Sequence, residues 1–182
     1  MRTVESIINK VLDAEGGKFT DDPLDSGGAT KWGWTHTALR EMGWFGKVED
    51  LDRDTAFQLY YRRFLLNSRF ESIIPIDYDV AYELVDTAVN MGERVAGKFL
   101  QVSLNALNNQ EKIYPDIAED GIVGRRTLKA LQSYLKYRGA EGALVLLRCL
   151  NALQAARYIE LAVKAKKNER FVYGWVLNRV VI

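Results

Sequence analysis

Glu15-Gly16-Gly17-Lys18-Phe19-Thr20-Asp21-Asp22-Pro23-Leu24-Asp25-Ser26-Gly27-Gly28-Ala29-Thr30-Lys31-Trp32-Gly33-Trp34-Thr35 is the stretch on which the reading of the fold turns. Before it, Val4, Ile7, Ile8, Val11 and Leu12 recur at helical spacing, so residues 2–15 read as an amphipathic helix that stops at Gly16-Gly17. Glu15 is then the last helical residue. From Lys18 to Trp34 the composition shifts to Asp, Pro, Gly, Ser and Thr, which is loop chemistry. A connection this long in a compact domain is functional or holds short strands of its own. A small hairpin inside residues 17–35 is the expected β content.

Beyond the loop, helical text resumes near residues 35–42 and again at about 52–66, with Asp52 placed to cap the second. Residues 77–91 and 93–107 read as successive helices broken at Gly92. Residues 125–137 and 140–166 follow, separated by Gly139. The segment 168–182 is too short and aromatic to type. Little of the chain alternates with period 2, so the expectation is a mainly α protein. Pro75 marks the best seam, giving residues 1–75 and 76–182 as two lobes that pack as one compact unit.

The chain has 182 residues, 48% of them apolar, enough to build a core and to exclude wholesale disorder. Lys and Arg number 25 against 24 Asp and Glu, a net charge of +1 that conceals a gradient. Residues 1–60 hold 7 basic and 11 acidic side chains, which argues against a nucleic-acid groove there. Residues 157–182 hold 6 basic and 2 acidic, which suits either an anionic surface or a solvated helix end whose cations face the C-terminal dipole. One cysteine, Cys149, excludes an internal disulfide framework and a thiolate zinc cluster. One histidine, His36, is too few for a His-rich metal site. No metal and no cofactor are expected. No run reaches the ~18 uninterrupted apolar residues of a membrane span, and the start of the chain does not read as an export signal. The apolar run near Leu144, cut by Arg148 and Arg157, reads as a buried helix.

A glutamate at a helix end beside Gly-Gly sits where a long polymer can reach its carboxyl. The negative end of the helix dipole and apolar neighbours such as Phe19, Trp32 or Trp34 disfavour ionisation there. A carboxyl held protonated is what a general acid needs to protonate a glycosidic oxygen. Asp25 and Thr30, on a loop that turns back at Gly27-Gly28, are the candidates to face it: Asp25 as base or as electrostatic partner of an oxocarbenium-like transition state, Thr30 as the holder of a water. By default, Asp22 and Asp25 beside Pro and Gly are turn residues and Thr30 a cap or turn hydroxyl. Trp32 and Trp34 either floor a sugar cleft or fill the core. Asp86 and Asn90, one helical turn apart, either line the cleft or satisfy buried backbone groups. Asp120-Gly121-Ile122-Val123-Gly124 reads as a tight turn feeding the next helix, where Arg125 and Arg126 either attract an anion such as a peptide-stem carboxylate or leave the turn purely structural. The chain carries no signature of acyl transfer, zinc hydrolysis or nucleotide binding.

The ordered run Glu15-Gly16-Gly17, then Asp22-Pro23-Leu24-Asp25-Ser26-Gly27-Gly28-Ala29-Thr30 and Trp32-Gly33-Trp34-Thr35, resembles the signature of glycoside hydrolase family 108, N-acetylmuramidases found as phage endolysins and in bacterial genomes. Asp86-Thr87-Ala88-Val89-Asn90-Met91-Gly92, Leu100-Gln101, Asp120 to Leu128, and Gly174-Trp175-Val176-Leu177-Asn178-Arg179 are similar to the family's companion predicted peptidoglycan-binding region. The resemblance implies a lysozyme-like helical domain with a small β-hairpin in the N-terminal catalytic loop. It implies Glu15 as the catalytic acid, with Asp25 and Thr30 as its partners by analogy with phage-type lysozymes. Ser26 stands where the family often has proline, and Trp34 where an aliphatic residue is usual.

The expected function is hydrolysis of the β-1,4 link between N-acetylmuramic acid and N-acetylglucosamine, on peptidoglycan glycan strands. The rivals are a lytic transglycosylase and a non-catalytic wall-binding or secretion-accessory protein. An endolysin of this kind is expected to be soluble in the cytoplasm of the host bacterium, without stable membrane insertion, and to reach the wall through a separate membrane-pore protein.

Overall fold

A computed structural model describes residues 2–21 and 28–180, which form two compact units, Met1–Asn67 and Ser68–Ile182. In the first, helix α1 (Val4–Glu15) opens with a capping box: the Thr3 hydroxyl accepts from the Ser6 amide at 3.3 Å, and the Ser6 hydroxyl accepts from the Thr3 amide at 3.0 Å. Ile7, Ile8, Val11 and Leu12 form its buried stripe, each contributing roughly 1.5–3 kcal/mol by leaving water. Gly16, at φ 73°, ends the helix where the double glycine predicts.

The expected hairpin is present and minimal. Strands β1 (Thr30–Lys31) and β2 (Trp34–Thr35) pair antiparallel, Thr30 opposite Thr35 and Lys31 opposite Trp34, and Thr20 adds a bridge to Thr30. Helix α2 (His36–Glu41) starts directly from β2, with Thr35 capping the Ala38 amide. A 3-10 turn at Val48–Asp50 leads to α3 (Arg53–Tyr60), capped by Asp52 as the sequence predicts, through a 2.7 Å bond from the Thr55 amide. The chain continues as a π-helical stretch, Tyr61–Asn67, where simple helical text was expected. Ile7, Leu12, Trp34, Leu39, Leu51, Tyr60 and Leu65 make the core of this unit.

The second unit is helical throughout its regular elements. After a 3-10 turn at Phe70–Ile73 come α4 (Tyr78–Met91) and α5 (Glu93–Leu107), joined through Gly92 at φ 92°. The long α6 (Arg125–Lys164) packs against both. Gly139 leaves helical geometry, so the two helices expected on either side of it run on from one another without a connecting loop. The untyped end of the chain forms a 3-10 turn, Lys166–Asn168, and a short helix α7 (Glu169–Arg179). Helix α6 is not buried all round near Leu144: Leu146 and Leu150 face the core, while Leu144 and Val145 are exposed. Helical periodicity on a surface element leaves one face in water, which a purely apolar count does not reveal.

Gln101 on α5 organises the turn before α6. Its amide nitrogen donates to Asp120, to the Ile122 carbonyl and to the Thr127 hydroxyl, while its oxygen accepts from the Gly121 amide at 2.7 Å. The Ile122 amide and the Gln101 side chain hold the Asp120 carboxyl below its ordinary pKa. Backbone meets backbone here, since a Cβ on Gly97 would lie 2.3 Å from the Gly121 carbonyl oxygen. Gly97→Ala is therefore expected to cost about 1–3 kcal/mol by overpacking, read as a lower urea midpoint with an unchanged slope.

Candidate active site

The end of α1 and the hairpin meet through two glycines. The loop between β1 and β2 is Trp32-Gly33, both at positive φ (53° and 71°), as a two-residue type I′ hairpin requires. For Gly33 this costs nothing, but Trp32 is held in a left-handed conformation that β-carbon sterics oppose. Tyr60 supplies the restraint: its hydroxyl, carried on the last turn of α3, donates to the Trp32 carbonyl at 2.9 Å. A Cβ on Gly33 would lie 2.8 Å from Glu15 Oε2 and 2.4 Å from the Tyr60 hydroxyl oxygen. A Cβ on Gly17 would lie 2.4 Å from the Trp32 indole. The Glu15 carboxylate, half-buried, thus lies against the reverse turn, and the Trp32 ring lies against the glycine two residues past it.

The other predicted residues divide. Thr30 stands at the start of β1, its hydroxyl donating to the Gly28 carbonyl at 3.0 Å, which leaves its oxygen lone pairs as the groups a water would use. Asp25 lies outside the described residues, as does Asp22. Trp34 is not a cleft floor: alternation along β2 turns it inward, to 2% exposure, where it packs edge-on against Tyr60 at 5.2 Å and beside Phe64 at 6.0 Å. His36 is exposed at the start of α2 and accepts from Arg40 at 3.3 Å. Tyr60 is the contributor that sequence reading missed, while Gly17 was read as room beside Glu15 and Gly33 as part of the signature. Trp-Gly between two apolar-polar runs is a legible turn signal, whereas nothing local marks Tyr60.

Asn90, itself exposed, bonds a backbone group as the second of the two readings expects, whereas buried Asp86 is satisfied by side chains. The Asn90 amide donates to the carbonyl of Asp86 at 2.8 Å, a bond within α4. Asp86 is buried and pairs with Arg179 of α7 at 2.6 Å, while Gln154 of α6 donates to its other oxygen at 3.2 Å. Glu83, one turn earlier, is buried as well, with one carboxyl oxygen lacking a hydrogen-bond partner. Burial, then the charge of Asp86, pushes the Glu83 carboxyl up to about 7, against the opposing hydrogen bond from Asn151.

Two outcomes follow from this cluster. Removing Arg179 (Arg179→Ala) leaves Asp86 without its cation and is expected to destabilise the protein by about 3–5 kcal/mol, measured by chemical denaturation. Glu83 has a folded pKa above its ordinary 4.5, so its favourable contribution is present below about 4.5 and is lost as pH rises through about 7. Melting temperatures of the wild type and Glu83→Gln between pH 4 and 8 should therefore diverge in the variant's favour toward pH 8. Parallel curves would show that Glu83 does not titrate in that window.

Comparison with known proteins adds the family. Residues 8–92 match the model of glycosyl hydrolase 108, and residues 95–180 match that of a predicted peptidoglycan domain. No curated protein matches the chain. The solved structure of SagA from Brucella abortus is similar over 98% of this chain and 96% of that one, with a TM-score of 0.66 and 20% identity, a likeness of fold. Two models thus account for almost the whole length: the chain carries a glycoside hydrolase family 108 region, that of a glycoside hydrolase acting on peptidoglycan, followed by a predicted peptidoglycan domain.

Proposed function

We propose that the protein is an N-acetylmuramidase that cleaves the β-1,4 bond between N-acetylmuramic acid and N-acetylglucosamine, with Glu15 as general acid. The observation that carries this reading is the packing of the Glu15 carboxylate against Gly33 at the tip of the hairpin, inside the region that matches the hydrolase family. Glu15 gives its proton to the leaving glycosidic oxygen as the bond to the anomeric carbon breaks. Water adds to that carbon from the opposite face, assisted by Asp25 or held by Thr30, and its released proton restores the acid–base pair. Trp32 presents its indole to a sugar face beside Glu15. Because Gly17 and Gly33 carry no side chains, acid and ring can both sit at the turn.

Glu15→Gln keeps the shape and removes the transferable proton. Lysis of purified sacculi is expected to fall by about 10²–10⁴ with the melting temperature unchanged. Asp25→Asn should reduce turnover more than Thr30→Ala, since a charge facing a developing cation outweighs one water contact. Reducing ends in the digest support hydrolysis, whereas 1,6-anhydro ends would reassign the enzyme to lytic transglycosylation. Wild-type turnover in Glu15→Gln would remove the proposed acid altogether.

We also infer an endolysin role in host lysis, with delivery to the wall by a separate pore-forming protein. Support comes from the resemblance of residues 15–35 to phage endolysins. Among the described residues, no helix is long and apolar enough to cross a membrane. Expressed alone in a bacterium, the enzyme should leave culture turbidity unchanged until chloroform is added, then clear it rapidly. Lysis before chloroform would sink this part of the reading.

A further inference from the structure

In the second unit, the segment following α5 and the first turns of α6 enclose a groove of about 500 Å³. Arg126, Lys129 and Ser133 lie at i, i+3 and i+7 on α6 and form one wall, while Pro115, Asp116 and Ile117 form the other. The second wall is built in advance. Asn105 grips Ile117 at both backbone groups, donating to its carbonyl at 2.9 Å and accepting from its amide at 2.9 Å. Asn108 donates to Asp116 at 2.5 Å, and the Asp116 amide donates to Glu111 at 3.0 Å. Across from this fixed carboxylate, the side chains of Arg126 and Lys129 have no ion-pair or hydrogen-bond partner among the described residues.

Two exposed cations without a protein partner among the described residues, opposite one anchored carboxylate and over apolar Pro115, Ile117 and Ala130, select among ligands. A polyanion of repeating phosphates meets the like charge of Asp116. A neutral sugar calls for an exposed aromatic face, but Tyr114 is 8% exposed and its hydroxyl donates to the Leu104 carbonyl at 2.8 Å. A short peptide with several carboxylates and one amine matches both walls. In peptidoglycan that description fits the stem peptide, whose free carboxylates and the side-chain amine of its diamino acid protrude from the glycan.

We infer that this groove binds the peptide stem of peptidoglycan, with Arg126 and Lys129 on its carboxylates and Asp116 on its side-chain amine. The inference rests on peptidoglycan being the polymer acted upon and is independent of which residue cleaves it. The preformed wall lowers the ordering cost of binding, and the cations supply charge-assisted hydrogen bonds.

The test is calorimetric titration of the full chain with the synthetic tetrapeptide N-acetyl-L-Ala-γ-D-Glu-L-Lys-D-Ala, with chitotetraose and poly(glycerol phosphate) as comparison probes. The wild type should bind the tetrapeptide, and Arg126→Ala combined with Lys129→Ala should weaken it by about tenfold or more. Arg126→Lys should retain most of the affinity, while Asp116→Asn and acetylation of the peptide's lysine should weaken binding without adding to one another. The same titration on Glu15→Gln should be unchanged, so a failed muramidase reading would not be mistaken for a failed groove. No tetrapeptide binding by the wild type at millimolar concentration would overturn the inference. So would equal binding by the doubly substituted protein with an unchanged melting temperature, or preferential binding of poly(glycerol phosphate) or chitotetraose through the same cations.

Discussion

The hydrogen bond from the Tyr60 hydroxyl to the Trp32 carbonyl joins the end of α3 to a reverse turn that would otherwise be unfavourable. A tryptophan at φ 53° needs outside support, and the turn it occupies has to come close to the end of α1. Two glycines permit that approach, since Gly17 admits the Trp32 ring and Gly33 admits the Glu15 carboxylate. Inward-facing Trp34 then packs against the same Tyr60 that restrains Trp32, so one aromatic side chain serves both the core and the turn. The position of the Glu15 carboxyl is a consequence of packing around the hairpin.

The second unit solves a different problem, that of placing polar groups inside a helical bundle. Gln101 uses both ends of its amide to close the turn before α6, which is how a glutamine at 1% exposure avoids the cost of burial. Asp86 is satisfied by a cation from α7 and an amide from α6, so one carboxylate links three helices. Trp175 stacks on Tyr158 at 5.3 Å and brings the inner face of α7 toward α6, while Tyr173 and Leu177 stay exposed. Glu83 is the exception in this scheme, a buried carboxyl only partly satisfied and displaced toward neutrality.

The two units also differ in the kind of chemistry they present. In the first, the Glu15 carboxyl lies against Gly33 of a two-residue turn whose other member is Trp32, which suits bond cleavage at a sugar. In the second, a stiff loop faces two cations that have no protein partner among the described residues, which suits holding a charged ligand without changing it. Asn105, Asn108 and Glu111 hold this loop in place, and Arg126 and Lys129 of α6 have no protein partner among the described residues.

Much of this was legible in the linear text because it depends on local rules. Helical spacing from Val4 to Leu12, the stop at Gly16, the cap at Asp52 and the breaks at Gly92 and Gly139 follow from backbone sterics and near-neighbour hydrogen bonds, which the sequence encodes within a few residues. The ordered signature from Glu15 to Thr35 likewise pointed to the family of the hydrolase region. What only the tertiary structure decided were choices between equally allowed local readings. Trp32 and Trp34 have the same composition and nearly the same neighbours, yet strand alternation and the Tyr60 bond put one at the turn and the other in the core. Asp86 became one half of an ion pair through Arg179, which is 93 residues away in the chain. Such partners are chosen by packing between distant segments, and no spacing along the chain carries that information.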